Sequence, residues 1–549
     1  MKKTKFFSFI SSLVILISGC NVNSTPEKEY LYMNKTFTVS NDYVSKIDNR
    51  HLDRVKEFNG LLDKNKEVNE SKLTLDDYYL NSVLQRHMVN YIHGTISGSK
   101  NVYVEILDKV YEGIVKDNIY EVYLPPMEAG GGYKLTVYSD NAKVETTVFI
   151  GDVYICSGQS NMEWTMGQCQ NAATTKEAIE TANNEFVRLL KVKLNGSDRP
   201  LDKHEGDIKW EKSNPISVRN FSCAGYQFGK YLYEKTFVPI GLVSVGVGGC
   251  SAGFFLSEKS VNNIKEKNIP IVDDYSAHWQ DKSINVLGAS EGYNALIHPL
   301  LKHQFRGILW NQGSSDAVNA TYYAEYMREM IKQYRIDFDL PELFFVLYEL
   351  NRWGDDYSIR GRISLAVNEV AKEDDLTCVV SSHDLGEYLD IHPQDKTELS
   401  IRASEEAAFT FYGIHREKEH LELDKIERLE NGELKLYFIG VGDGFVFKNG
   451  LSSLQITSDG QWYDHVTEYA IGENYITISA PYEIKGIRYG LVTVDLDNAS
   501  KMDTQKHVGI YNSYDRPLRM FDIKFKKKRT LELNPMSFIY LIIYIVKLS

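Results

Sequence analysis

The sequence predicts an α/β fold, a parallel sheet with helices on both faces, flanked on each side by a β-rich region. Three observations predict it. From Gly151 to about Gly413, short apolar runs alternate with helix-compatible segments, the pattern of a parallel sheet with covering helices. From about Tyr78 to Phe149 the runs are short, rich in Val, Tyr and Ile, and separated by Gly, Asn and Pro. After about Lys425 the same β pattern returns and continues to Phe525.

Taken in order, residues 1–19 read as a lipoprotein signal peptide. Lys2, Lys3 and Lys5 form a basic start and Phe6 to Ile17 an apolar stretch. Ile17-Ser18-Gly19-Cys20 then resembles a bacterial lipobox, with Cys20 as the lipidated residue. The expectation is an exported, membrane-anchored lipoprotein at the cell surface or in the periplasm. Residues 20–77 are polar, with a short helix expected near Asn49 to Leu61, and fit a tether. Residues 78–149 read as a β-sandwich, with strands at Val102–Ile106, Tyr120–Leu124 and Tyr133–Tyr138.

Residues 150–424 form the α/β region. Its strand candidates are Ile240–Val245, Arg306–Trp310, Leu343–Leu347 and Leu376–Val380, and its helices Thr174–Asn184, Tyr322–Tyr334 and Lys396–Phe411. Residues 425–525 form the C-terminal β-rich domain. The tail, 526–549, contains an apolar stretch, Phe538 to Val546, too short for the roughly 20 residues of a membrane helix.

Composition narrows the function. With 43% hydrophobic and 25% charged residues, the chain has the balance of a soluble globular protein with a full core. Net charge is −13, and loss of residues 1–19 with their three lysines would make it −13 − 3 = −16, which argues against a nucleic-acid partner. Of the six cysteines, Cys20 is the lipidation candidate. The other five show no CxxC and no zinc-type Cys/His spacing, so no metal and no cofactor is expected.

The chemistry concentrates in four places. Gly151-Asp-Val-Tyr-Ile-Cys-Ser-Gly-Gln-Ser160 runs from a β-branched segment through small residues to a serine and then helix formers. That arrangement presents a hydroxyl on a sharp turn after a strand, beside backbone N–H groups able to bind an oxyanion. Asp390-Ile-His392-Pro393 supplies a base, His392, and a carboxylate to orient it, with Asp384 as the alternative acid. His298, before Pro299, and His383 are the rival histidines. Both His298 and His392 precede proline, so each is expected in extended backbone.

Gly246-Val-Gly248-Gly249 follows a strand and offers N–H groups without bulk, but lacks the features of a nucleotide loop. Trp310-Asn-Gln312-Gly-Ser-Ser-Asp316 ends another strand, and Gln312 could aim its amide at the oxyanion. Candidate substrate contacts are Gln159, Asn161 and Trp164 around the serine, and Asn294 and His298 in the Tyr293–Pro299 stretch.

These residues, together with Ala129–Tyr133, Asn220–Tyr226, Val238–Leu242, Gly486–Gly490 and Tyr511–Phe521, make the chain resemble the sialate O-acetylesterase family, SGNH-type carbohydrate esterases, over about residues 78 to 525. The resemblance implies an SGNH-hydrolase-like sheet. It makes Ser160 the nucleophile, His392 the base and Asp390 its partner, with the Ser160 backbone, Gly248 or Gly249, and Gln312 as the oxyanion hole. The implied substrate is an O-acetylated glycan, typically on sialic acid, with no metal. The chain departs from the family pattern at Asn311 and Ser314, where an aromatic and a carboxylate are usual, and at Gly253-Phe254-Phe255, where Glu-Ala-Trp is usual.

Two classes of function follow. The first is a carbohydrate O-acetylesterase working through an acyl-enzyme, on sialic acid or another glycan such as xylan. The second is a surface lipoprotein that binds glycan without catalysis. A lipase or peptidase is disfavoured by the lack of a Gly-x-Ser-x-Gly elbow. Arg352, Arg360 and Arg362 are the guanidinium groups before the last motif that could meet a sialate carboxylate.

Overall fold

The computed structural model describes residues 28–32, 35–39, 72–140, 142–271, 288–354, 358–415, 419–448, 450–463, 466, 468–491 and 508–525. The signal peptide, Cys20, the helix expected at Asn49–Leu61 and the apolar tail lie outside the described residues. In the first of two compact units, residues 1–64, strands Lys28–Tyr32 and Lys35–Val39 pair as an antiparallel hairpin.

The second unit, residues 65–549, is organised by one long strand, Lys143–Gly158. Its first half pairs antiparallel with Gly130–Tyr138 and parallel with Val83–Gln85. Its second half pairs parallel with Ile240–Ser244 on one side and Gly307–Asn311 on the other. Burial changes along the strand as this demands. Alternation of exposed and half-buried residues up to Thr147 gives way to unbroken burial from Val148 onward, where both faces are covered.

The antiparallel half belongs to a β-sandwich. Tyr103–Ile106 and Lys109–Glu112 extend that sheet beyond Gly130–Tyr138. Lys72–Leu73, Asn90–Ser97, Ile119–Leu124 and Ile114–Lys116 form the second, four-stranded sheet. Ile92, Ile96, Val104, Tyr120, Val122 and Val137 fill the core, at alternate positions on their strands.

Across the parallel sheet the order is Asn184–Lys191, Ile240–Ser244, Lys143–Gly158, Gly307–Asn311, Phe344–Tyr348, Thr377–Val380. The chain starts in the middle, fills one side, then crosses to fill the other. The crevice where the crossovers diverge lies at the C-terminal end of the central strand, where such sheets bind ligands. Helices cover both faces. Phe344 stacks on Phe411 of helix Thr397–Tyr412, while its neighbour Phe345 meets Tyr334 of helix Tyr323–Asp337 on the opposite face. The expected strands and helices of this region agree with the observed ones to within a few residues.

The C-terminal β region holds a four-stranded antiparallel sheet (Glu422–Arg428, Leu434–Ile439, Tyr475–Ser479, Glu468–Ile471) and a three-stranded one (Leu454–Thr457, Gly486–Tyr489, Phe521–Lys524). Leu434, Leu436, Ile456, Ile476, Ile478 and Ile487 make its separate core.

A buried charge joins the sandwich to the parallel sheet. Asp152 is fully buried on the central strand and accepts from Arg86 Nη2 at 2.8 Å, Gln85 Nε2 at 2.8 Å, Tyr412 Oη at 2.8 Å and Arg306 Nε at 3.3 Å. Removing it would strand two guanidinium groups in the interior. Asp152→Ala is expected to lose about 3–5 kcal/mol, read from urea unfolding.

Candidate active site

The central strand ends at Gly158, whose φ of +130° favours glycine; a Cβ there would come within 2.2 Å of the Asn311 carbonyl oxygen. Gln159 is extended and caps the single helical turn Ser160–Glu163, placing the half-buried Ser160 at its first position. Gln159 N–H donates to the Asn311 carbonyl at 2.9 Å, and its side-chain oxygen accepts from Gly313 N–H at 3.0 Å. The end of the neighbouring strand thus fixes the turn from two directions.

His392 comes from the loop between strand Thr377–Val380 and helix Thr397–Tyr412. Its Nε2 lies 2.9 Å from Ser160 Oγ, hydrogen-bond distance for a base and a nucleophile. Trp164 stacks on the imidazole, with ring centroids 4.4 Å apart and planes at 21°, which fixes the plane of the ring. Asp390 accepts from the His392 backbone N–H at 2.8 Å, and its carboxylate lies 3.8 Å from Nδ1, ion-pair range but beyond a hydrogen bond. Burial pushes the His392 ionisation below its ordinary value, Lys396 adds to that shift, and Asp390 opposes it.

Asp384 does not reach the imidazole. It is fully buried and forms a bidentate pair with Arg402, at 2.6 and 2.9 Å. Burial would raise its carboxyl, but the guanidinium outweighs this and holds it below the usual range. The rival His383 is also fully buried, its Nδ1 2.8 Å from Glu349 Oε2. Burial opposes the charge on Glu349, but His383, Asn368 and the Ser382 N–H hold its carboxyl down at about 2. Both acids serve packing of the last strand.

Several candidates have other work. Gln312 is wholly buried, and its amide donates to the Cys250 carbonyl at 3.0 Å and to Asp316 at 2.6 Å, while its oxygen accepts from Tyr323 Oη at 2.8 Å. Its donors are committed inward, which corrects the expectation that it faces the oxyanion. Asp316 imposes this: a buried carboxylate, pushed up to about 6 by burial, needs donors, and it takes them from Gln312 and Ala252 N–H.

Gly248 lies against the serine, since a Cβ there would be 3.4 Å from Ser160 Cβ. Its N–H, however, donates to Glu163 Oε2 at 2.6 Å, so in this conformation it is closed to an oxyanion. Burial raises the Glu163 carboxyl, with Gly248 N–H and Lys191 opposing. Gly249, with φ of +72°, is the next glycine on the same loop.

The substrate contacts need the same correction. Asn161 is buried with both ends of its amide bonded within the protein, because a buried amide left unpaired is costly, and Gln159 is buried with its side-chain oxygen committed to Gly313 N–H. Asn294 donates to the Ser197 carbonyl at 3.1 Å and His298 Nδ1 pairs with the Leu201 carbonyl at 2.9 Å. Both thus brace the segment after strand Asn184–Lys191, and no described contact links either to Ser160 or His392.

His298 is also helical (φ −56°, ψ −39°) rather than extended, since a π-turn over Tyr293–Ile297 runs straight into a 3₁₀ turn with Pro299 near its start. Phe254 and Phe255 are core, Phe255 meeting Trp310 edge-on at 5.5 Å. Of the arginines, Arg360 reaches the turn after strand Gly307–Asn311, donating to Ser314 Oγ at 3.0 Å, and Arg352 donates to the His383 carbonyl at 2.8 Å. Cys156, Cys169, Cys223, Cys250 and Cys378 are buried free thiols, and no disulfide occurs among the described residues. Sequence reasoning gave no role to Glu163 or Lys396; each lay beside a motif, but its partner is distant in the chain.

A serine on a tight turn at the switch point of a parallel sheet, with a histidine nitrogen in contact, is an arrangement able to support serine-hydrolase chemistry. The comparisons narrow it. Residues 150–402 match the family described as carbohydrate esterase, sialic acid-specific acetylesterase, which bears out the resemblance seen in the sequence.

The sialate O-acetylesterase of Mus musculus is 31% identical over 265 residues, 42% of this chain and 49% of that protein. That of Homo sapiens is 30% identical over 239 residues, 40% of this chain and 44% of that protein. The chain therefore spans about half the length of the curated relatives it matches. A crystal structure of a carbohydrate acetylesterase from Xanthomonas citri superposes with a TM-score of 0.70 over 82% of this chain and all of that one, at 23% identity, a likeness of fold.

The division of labour between the two aspartates is testable by stability. Asp384→Asn, which takes the bidentate carboxylate from a buried guanidinium, should lose about 3 kcal/mol in urea unfolding, whereas Asp390→Asn, at a surface carboxylate, should lose less than about 1 kcal/mol.

Proposed function

We propose that this protein is a serine esterase that removes O-acetyl groups from carbohydrate, with sialic acid as the first substrate class and an acetylated glycan such as xylan as the second. The observation that carries the proposal is the 2.9 Å contact between His392 Nε2 and Ser160 Oγ on the family-matched region. Ser160 Oγ attacks the acetyl carbonyl carbon as Nε2 takes its proton. The tetrahedral oxyanion is held by backbone N–H groups, of Ser160 and Gly249, with Gly248 joining once Glu163 lets go.

Collapse breaks the bond from the acetyl carbon to the sugar oxygen, which takes the proton from His392 and leaves as the free hydroxyl. Water, deprotonated by the same nitrogen, then attacks the acyl-enzyme, releasing acetate and restoring Ser160. Asp390 stabilises the imidazolium that forms at each step. In this reading Arg360, on helix Ser358–Glu373 and bonded to Ser314 Oγ, is the guanidinium that would meet a substrate carboxylate. In this reading the leader ending at Cys20 exports the protein and anchors it to a bacterial membrane.

The test is acetate release from acetylated sialosides, acetylated xylan and an aryl acetate. Ser160→Ala should lower kcat at least about a thousandfold while leaving the unfolding midpoint unchanged. Equal release by wild type and variant would overturn the serine mechanism, and the preferred substrate decides between sialic acid and xylan.

The pH profile gives a second check. The base must be neutral to accept a proton, and the His392 ionisation is lowered from 6.5, so the acid limb of kcat/KM should fall below pH 6.5. A limb above that value would assign the base elsewhere.

A further inference from the structure

Beneath the nucleophile turn sits a lysine that acyl transfer does not use. Lys396 precedes helix Thr397–Tyr412 and is fully buried. Its Nζ donates to Asn161 Oδ1 at 2.7 Å, and Asn161 Nδ2 donates to the Ile391 carbonyl at 3.1 Å. Asn161 follows Ser160 directly and Ile391 directly precedes His392. One side-chain amide therefore ties the neighbour of the nucleophile to the neighbour of the base.

An ammonium has donors and no acceptor, so it accepts only the oxygen end of the Asn161 amide. The NH₂ end must then face the Ile391 carbonyl. Among the described residues, no other side-chain bond joins the Ser160 turn to the backbone of the histidine loop.

We propose that Lys396, acting through Asn161, is a positioning residue that locks the histidine loop where its imidazole meets the Ser160 hydroxyl. This rests on the esterase reading above. A buried ammonium is costly, and an apolar residue would fill the same space without that cost, so packing alone does not account for a lysine here.

The groups that face Lys396 are the Cys169 and Cys223 thiols and the Glu387 and Asp390 carboxylates. Burial lowers the ionisation of Lys396, and these four groups oppose that shift. The Cys169 thiol is itself held down, first by its hydrogen bond with Cys223 and also by the lysine charge. Toward His392 the lysine acts in the other direction, adding to burial against the imidazolium, with Asp390 opposing. The same residue therefore sets the position of the base and favours its neutral form.

The experiment measures kcat, KM and the pH profile of kcat/KM for the full chain on an aryl acetate, with thermal unfolding of each variant. Lys396→Met should lower kcat at least tenfold, keep KM within twofold and move the acid limb to higher pH. Asn161→Ala leaves the lysine charge in place, so it should lower kcat comparably while leaving the limb where wild type has it. A merely structural lysine would change the unfolding midpoint without this split.

A folded Lys396→Met protein with wild-type kcat and limb overturns the proposal. If Lys396→Met does not fold, wild-type kcat in Asn161→Ala overturns it. Should Ser160→Ala be inactive while the Lys396 and Asn161 variants behave as wild type, the esterase reading stands and only the positioning role falls. If Ser160→Ala matches wild type, both fall.

Discussion

A single buried carboxylate constrains how this molecule is assembled. Asp152 sits where one strand leaves a β-sandwich and enters a parallel sheet, and no water reaches it. A charge in that position is tolerable only if donors surround it. They come from three places in the chain: Gln85 and Arg86 before strand Asn90–Ser97, Arg306 before strand Gly307–Asn311, and Tyr412 at the end of the last helix. The sandwich, strand Gly307–Asn311 and the last helix are thereby placed against the same strand. That strand delivers Ser160 eight residues further on.

The site repeats this logic on a smaller scale. The groups around Ser160 and His392 are in turn held by further contacts. Gln159 is fixed by Gly313, the Ile391 carbonyl by Asn161, and the imidazole plane by Trp164. The glycine loop and the turn after strand Gly307–Asn311 are joined through Asp316 and Ser315. Preorganisation of this kind lets a serine and a histidine from loops 232 residues apart in the chain stay in hydrogen-bond contact. Glu163 is the exception, since it holds the Gly248 N–H, and on the proposed mechanism it must yield before that donor can serve an oxyanion.

The C-terminal β region contributes to the same framework. Arg516 pairs with Glu398 and Glu405 on helix Thr397–Tyr412, and Tyr511 Oη meets Asp384 at 3.4 Å. The helix that follows the histidine loop is thus also tied to the C-terminal β region. Asp384, which from its place in the chain could equally have been the triad acid, is part of this clamp.

The parallel sheet, the sandwich strands and the Ser160 and His392 motifs were legible in the sequence, because each rests on local pattern: apolar runs of strand length, glycines where the backbone must turn tightly, a histidine in a loop between strand and helix. Partnership was not. Gln312, Gln159 and Asn161 read as substrate contacts or oxyanion donors because a polar side chain beside a serine looks available. Only the fold shows that burial obliges each to bond inward. His298 read as extended because it precedes proline, yet a π-turn carries it into helical backbone.

The sequence by itself determined which residues could do chemistry and in what order they come. Tertiary structure alone decided which of them meet. A carboxylate or an amide is chosen by what desolvates it and which donors arrive from elsewhere in the chain, and neither is written at its own position.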